Sequence, residues 1–165
     1  MKITKIDFNI EENHKDHHTS EFQDENFLIV RRAQKFVIQV STSRKCEQGE
    51  TLTLDFKTGK HPVEILGTHI VLQIDGGSAV GKRAHGWKVN MEKKEESGWF
   101  NDSNGVVYQI EIVTANDAIV GFYEMEASHV FKGDSMVTKF DTDGGPTLKH
   151  NSISIKIVLI LAKKT

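Results

Sequence analysis

The chain has 165 residues, with 21 basic and 23 acidic side chains and a formal net charge of −2. That near balance lacks the basic excess on which nucleic-acid-binding domains depend, so no nucleic-acid partner is expected. One cysteine, Cys46, rules out an intrachain disulfide, and a chain this long buries roughly two-thirds of its unfolded surface without needing one.

From the N-terminus, Met1-Lys-Ile-Thr-Lys-Ile-Asp meets charge at once and has no apolar core, so no secretory leader is expected. With a lone thiol, this points to a cytoplasmic location, leaving unconventional export as the other route. Ile6, Phe8 and Ile10 then alternate with Asp7 and Asn9, the period-two pattern of a half-buried strand. Residues 11–26 are polar, contain His14, His17 and His18, and read as a surface connection. Alternation resumes over Phe36–Val40, Thr51–Phe56, His69–Ile74, Val107–Ile112 and Tyr123–Ala127, with Trp87, Val89 and Met91 pointing inward. Residues 92–98 are expected to be a charged hairpin tip or a single helical turn, and Met136–Phe140 an edge strand. The last strand, Ile153–Leu161, ends in an apolar run far too short to span a bilayer. No window has convincing helical periodicity. Glycines and two prolines punctuate the strands at intervals of about ten residues. The expectation is one domain over 1–165, all-β, an immunoglobulin-like antiparallel β-sandwich of about eight or nine strands.

Four stretches, taken in order, resemble one family: Asp16-His-His-Thr19, Leu28-Ile-Val-Arg-Arg-Ala-Gln-Lys-Phe36, Phe56-Lys-Thr-Gly59 with Gly67-Thr68, and Thr114-Ala-Asn-Asp-Ala-Ile-Val-Gly-Phe-Tyr123. Together they are similar to the N-terminal β-sandwich domain of animal transglutaminases (protein-glutamine gamma-glutamyltransferases). Ala33 departs from the family's Arg-Arg-Gly-Gln, and a site needing positive φ costs a residue with a Cβ about 1 kcal/mol. Tyr123, just after a turn, has the place of a corner tyrosine whose hydroxyl bonds nearby backbone. Arg31 and Arg32 fall at a turn or bulge between apolar runs, on opposite faces, and read as solvated or locally paired, with an ion pair from at least one of them to an acid on a neighbouring strand or another domain as the alternative.

The resemblance implies a parent enzyme that attacks a glutamine carboxamide with a thiolate and passes the acyl group to a lysine amine. The family's nucleophile lies in a Gly-Gln-Cys-Trp-like motif. Here Cys46 sits in Arg44-Lys-Cys-Glu-Gln48 and reads as an ordinary loop thiol, so no catalytic residue is assigned. No metal or cofactor is assigned either. The His14, Asp16, His17 and His18 group reads as surface loop, and Asp141-Thr-Asp143 lacks the further ligands of a calcium loop. Gly76-Gly-Ser-Ala-Val-Gly-Lys82 has phosphate-loop spacing but continues into Arg83 with no helix to follow. The residues assigned to a partner surface are Arg31, Arg32, Lys82, Arg83, Lys88, Lys93, Lys94 and Trp99, basic groups beside an aromatic. The resemblance implies a non-catalytic, regulatory or partner-binding domain whose partner is the catalytic core of a longer chain. The rival is a free-standing immunoglobulin-like binding or adhesion module with its own protein partner. A catalytic core encoded downstream separates the two.

Overall fold

A computed structural model describes residues 3–22, 27–94, 105–131, 137–139 and 156–161. The chain enters through β1 (Ile3–Asp7), turns at Asn9 in the left-handed conformation (φ 46°), and forms one short helix, α1 (Ile10–Asp16). The strands that follow are β2 (Phe27–Arg31), β3 (Phe36–Thr42), β4 (Glu50–Thr58), β5 (His69–Asp75), β6 (Lys88–Lys94), β7 (Val106–Val113), β8 (Gly121–Phe131), β9 (Val137–Lys139) and β10 (Lys156–Ile160). The expected eight or nine strands are met by nine of five residues or more, with β9 a three-residue tenth.

Two sheets face one another. One has the order β1-β3-β7-β6; the other runs β2-β10-β8-β4-β5, with β9 beside the far end of β8. Pairing is antiparallel except between β10 and β2, which run parallel from Lys156↔Phe27 to Ile160↔Arg31. Alternate residues of each strand meet in one core. Phe36, Ile38, Leu54, Phe56, Leu72, Ile110, Ile112, Tyr123 and Met125 are buried there, the period-two pattern read from the sequence. Trp87 lies inside as expected, its ring 5.2 Å from Phe56 and 5.7 Å from Tyr123.

Two expectations are corrected. The first strand does not reach Ile10: a bulge between Ile3 and Lys5 shifts its pairing with β3, and the chain leaves at Asp7 for the helix. Residues 11–22 are not merely a surface connection, because α1 and the turn after it bury Asn13, His14, His17 and Thr19. Hydrophobic periodicity missed this helix because the face it buries is polar.

Segment 79–84 crosses from one sheet to the other between β5 and β6. The Met91 N–H donates to Ala79 O, Gly81 N–H to Val89 O, and Lys82 N–H to Gln73 O, at 2.7–2.9 Å. A side chain at Gly81 has no room: its Cβ would lie 2.3 Å from Val89 Cγ1 and 2.8 Å from Gln73 O.

Candidate functional site: the corner where the motifs meet

The four stretches that carry the family resemblance converge at one end of the sandwich and bond to one another. The β2–β3 turn, Arg31 to Gln34, is held from three directions. Arg31 Nε donates to His17 O at 2.6 Å and its NH1 to Leu161 O at 3.3 Å. Arg32 NH1 donates to Ala118 O at 3.0 Å. The Ala33 N–H donates to Thr114 Oγ1 at 2.8 Å, and Gln34 Nε2 to Asp16 O at 2.9 Å. Across the same end, Thr58 Oγ1 donates to Phe122 O at 2.7 Å. Tyr123, buried, donates to Ile119 O at 2.6 Å, which makes it the expected corner tyrosine; burial pushes its hydroxyl up to about 12.

Arg31 and Arg32 therefore direct these donors to backbone carbonyls, in keeping with the locally paired reading. The carbonyls belong to the chain leaving α1, the end of β10 and the 115–118 turn, places where the backbone has run out of regular partners. Ala33 has φ 65°, so the turn does need the left-handed conformation that glycine adopts freely.

Beside this corner, α1 presents side chains to β2. In the parallel pair with β10, Phe27, Ile29 and Arg31 turn their backbone groups the other way, toward α1. The Ile29 N–H donates to His14 Nε2 at 2.9 Å, Thr19 Oγ1 donates to Ile29 O at 2.8 Å, and the Arg31 N–H donates to His17 Nδ1 at 2.7 Å. The other nitrogen of His17, Nε2, donates to Lys35 O at 2.8 Å. Both imidazoles must be neutral to accept these bonds. Burial lowers the pKa of each, opposed by a hydrogen bond to the Phe27 backbone for His14 and to the Lys35 backbone for His17. Asn13 acts in the same way toward the other sheet: Oδ1 accepts from Val37 N at 3.0 Å, and Nδ2 donates to Val37 O at 2.7 Å and Phe8 O at 2.8 Å. Among the described residues, no three potential metal ligands come together.

The thiol lies elsewhere. Cys46 is buried, its N–H accepted by the Tyr108 hydroxyl at 2.8 Å and its Sγ 4.0 Å from Glu50 O. Burial and the Glu50 charge push the thiol up to about 11, against the pull of Arg44. Near it is a cluster that sequence reasoning missed. Burial alone would raise the Glu50 carboxyl, but bonds from Arg44 (2.6 Å), the Glu47 N–H (3.1 Å) and His129 Nε2 (2.5 Å) hold it down to about 2. Arg44 already balances the carboxylate, so burial keeps His129 neutral and lowers its pKa despite that bond. Glu50 and His129 are 79 residues apart in sequence, and nothing local to either announces the pairing.

This geometry sits on a recognisable sequence. Residues 4–130 match the sequence profile of the transglutaminase family. The chain belongs to the transglutaminase family. Protein-glutamine gamma-glutamyltransferase K of Homo sapiens is 30% identical over 114 residues, 69% of this chain and 12% of that protein. Protein-glutamine gamma-glutamyltransferase E of Rattus norvegicus is 27% identical over 142 residues, 86% of this chain and 18% of that protein. Among solved structures, red sea bream transglutaminase covers 98% of this chain with 19% of its own, at a TM-score of 0.54 and 19% identity, a likeness of fold. The chain thus spans less than a fifth of the length of these relatives. What it matches is the family's N-terminal β-sandwich domain.

On this transglutaminase-family sandwich the basic residues fall into separate groups. Lys82, Arg83 and Lys88 are exposed and flank the tight Ala84–Trp87 hairpin. Lys93 and Lys94 are exposed at the opposite end of β6, roughly 20 Å from Lys88 at strand rise. Trp99 lies outside the described residues, as does Asp141-Thr-Asp143. The segment with phosphate-loop spacing is the one crossing between β5 and β6. A Cβ on its first glycine, Gly76, would lie 1.8 Å from Glu47 O, and Gly81 is equally confined, so close backbone packing accounts for both. Sequence reasoning also missed an exposed apolar group at the motif corner: Ile119, Val120, Phe122 and Leu161, with Phe27 edge-on to Phe122 at 6.0 Å. The alternation that sends Tyr123 inward sends Phe122 outward.

Proposed function

We propose that residues 1–165 are one non-catalytic, regulatory or partner-binding domain of a transglutaminase whose catalytic core cross-links protein glutamine to lysine. The observation that carries this reading is the state of the only thiol. With Cys46 buried and pushed up to about 11, its thiolate fraction at pH 7 is on the order of one in ten thousand, too little for acyl transfer. The family motifs are spent on holding one corner of the fold, which supports a scaffold role for them. Lys82, Arg83 and Lys88, and the apolar group around Phe122, are the surfaces proposed to face the core or another protein. No described helix is long and apolar enough to cross a membrane, and the cytoplasm is the proposed compartment.

The test is incorporation of a fluorescent primary amine into casein by the purified chain. No incorporation above a no-protein blank is expected at any calcium concentration. Incorporation that disappears in Cys46→Ala would make the chain an enzyme in its own right and end this reading.

A further inference from the structure

The edge of β2 is closed by side chains that titrate. Four of its outward backbone groups, Phe27 O, Ile29 N, Ile29 O and Arg31 N, meet His14, Thr19 and His17 of the α1 segment. Both ring acceptors face backbone N–H groups. A proton on either acceptor would set one N–H against another in a site already closed to water.

We propose that the α1 segment is an acid-sensitive latch on the β2 edge, shut while His14 and His17 are neutral and released when they are protonated, with the rest of the sandwich still folded. The segment can leave without dismantling either sheet, because β2 keeps its pairing with β10 and β3 its pairing with β7. A seven-residue helix has little stability of its own, so what holds it is its side-chain bonds, those of Asn13 included. Release would expose a strand edge able to accept an extended segment.

The surrounding charges act in both directions on an imidazolium, and burial decides against it. From β2, Arg31 sits against His17 and donates to its carbonyl; from the start of β3, Lys35 offers its carbonyl to His17 while its ammonium reaches Glu111 at 3.4 Å. On the segment itself, Asp16 favours the charge on His17, and His14 and Arg31 oppose it. Glu11, Glu12, Lys15, His18 and Glu21 are exposed, and Asp7 on β1 accepts the Asn9 N–H. Folded pKa values lie below the ordinary 6.5, which the released segment recovers. The latch is therefore at full strength above about pH 6.5 and weakens as pH falls below it. His129 is lowered in the same direction, but it bonds Glu50 on β4 from the inner face of β8, so its protonation would be felt at central strands.

Hydrogen exchange separates the two. Protection factors of the Ile29 and Arg31 amides, measured by NMR at pH 7.5 and 5.5, should fall by about tenfold or more. Those of Leu54, Ile110 and Ile112, which exchange only by global opening, should stay well above the edge values at both pH values. The double variant His14→Gln, His17→Asn keeps an acceptor at each place and cannot be protonated, so its Ile29 and Arg31 protection should not depend on pH. Edge protection that is unchanged, that is as high as that of the central strands, or that stays equally acid-sensitive in the double variant overturns the proposal. Should the variant fail to fold, imidazole titrations of the wild-type chain decide: values for His14 and His17 at or above 6.5 overturn it.

Discussion

Along the side bounded by β5 and β6, segment 79–84 lies across the gap and bonds main chain to main chain. Along the side bounded by β1, β3 and β2, α1 does the corresponding work with an amide, a hydroxyl and two imidazoles. Both devices satisfy strand edges that would otherwise invite pairing with another chain. They differ in what they demand of the sequence. The first needs the close approach that only glycine permits at position 81. The second needs particular functional groups at helical spacing, Asn13, His14 and His17, and so depends on their protonation. One side is closed at any pH where the fold exists; the other carries a pH dependence set by its histidines.

The largest effect is expected on the main-chain side. Gly81→Val would drive a branched side chain into Val89 and the Gln73 carbonyl, and a cost of roughly 3 kcal/mol is expected in urea unfolding. Because no titrating group takes part, the loss should be the same at pH 7.5 and 5.5. A loss under about 1 kcal/mol would mean that segment 79–84 can move off the strands, and the contrast between the sides would fail.

On the helix side, Asn13→Ala removes the amide that serves Val37 and Phe8, so the Val37 N–H and the Phe8 carbonyl lose its bonds and Val37 O keeps only Asn9 Nδ2. A cost of about 2 kcal/mol is expected in the same measurement. Asn13→Asp should recover only part of it, since a carboxylate accepts from the Val37 N–H but has no donor for the two carbonyls. If the alanine variant is as stable as wild type, α1 does not hold that side shut.

The same contrast explains what could be read from the sequence. Strand alternation identified the sandwich and the inward Trp87, because these follow from apolar side chains with period two, and the turn before Tyr123 marked its corner. The helix was invisible to that criterion, since its buried residues are Asn13, His14 and His17, polar groups whose partners are backbone atoms far along the chain. Their spacing was the available signal: 13, 14 and 17 fall on one helical face. The parallel pairing of β2 with β10 joins residues nearly the length of the chain apart, and no local pattern encodes it. The arginines at the corner were recognised, but their partners were not, because three chain ends with unpaired carbonyls meet there only after folding.

The smallest expected effect lies at that corner, in the turn leading from β2 to β3. Ala33 holds φ 65° on an exposed site, with its N–H bound to Thr114. A Cβ in the left-handed region costs about 1–2 kcal/mol, whereas glycine costs roughly 0.5–1 kcal/mol in unfolded-state entropy. The difference favours Ala33→Gly by about 0.5 kcal/mol, a rise of one or two degrees in Tm for a chain of this size. Strain in this turn bears on Arg31, whose N–H His17 accepts, so relieving it should also raise protection at the Arg31 amide. A Tm that falls in Ala33→Gly would show that the turn gains more from a stiffer unfolded chain than it loses to strain, and would place the weakness of this side in the helix alone.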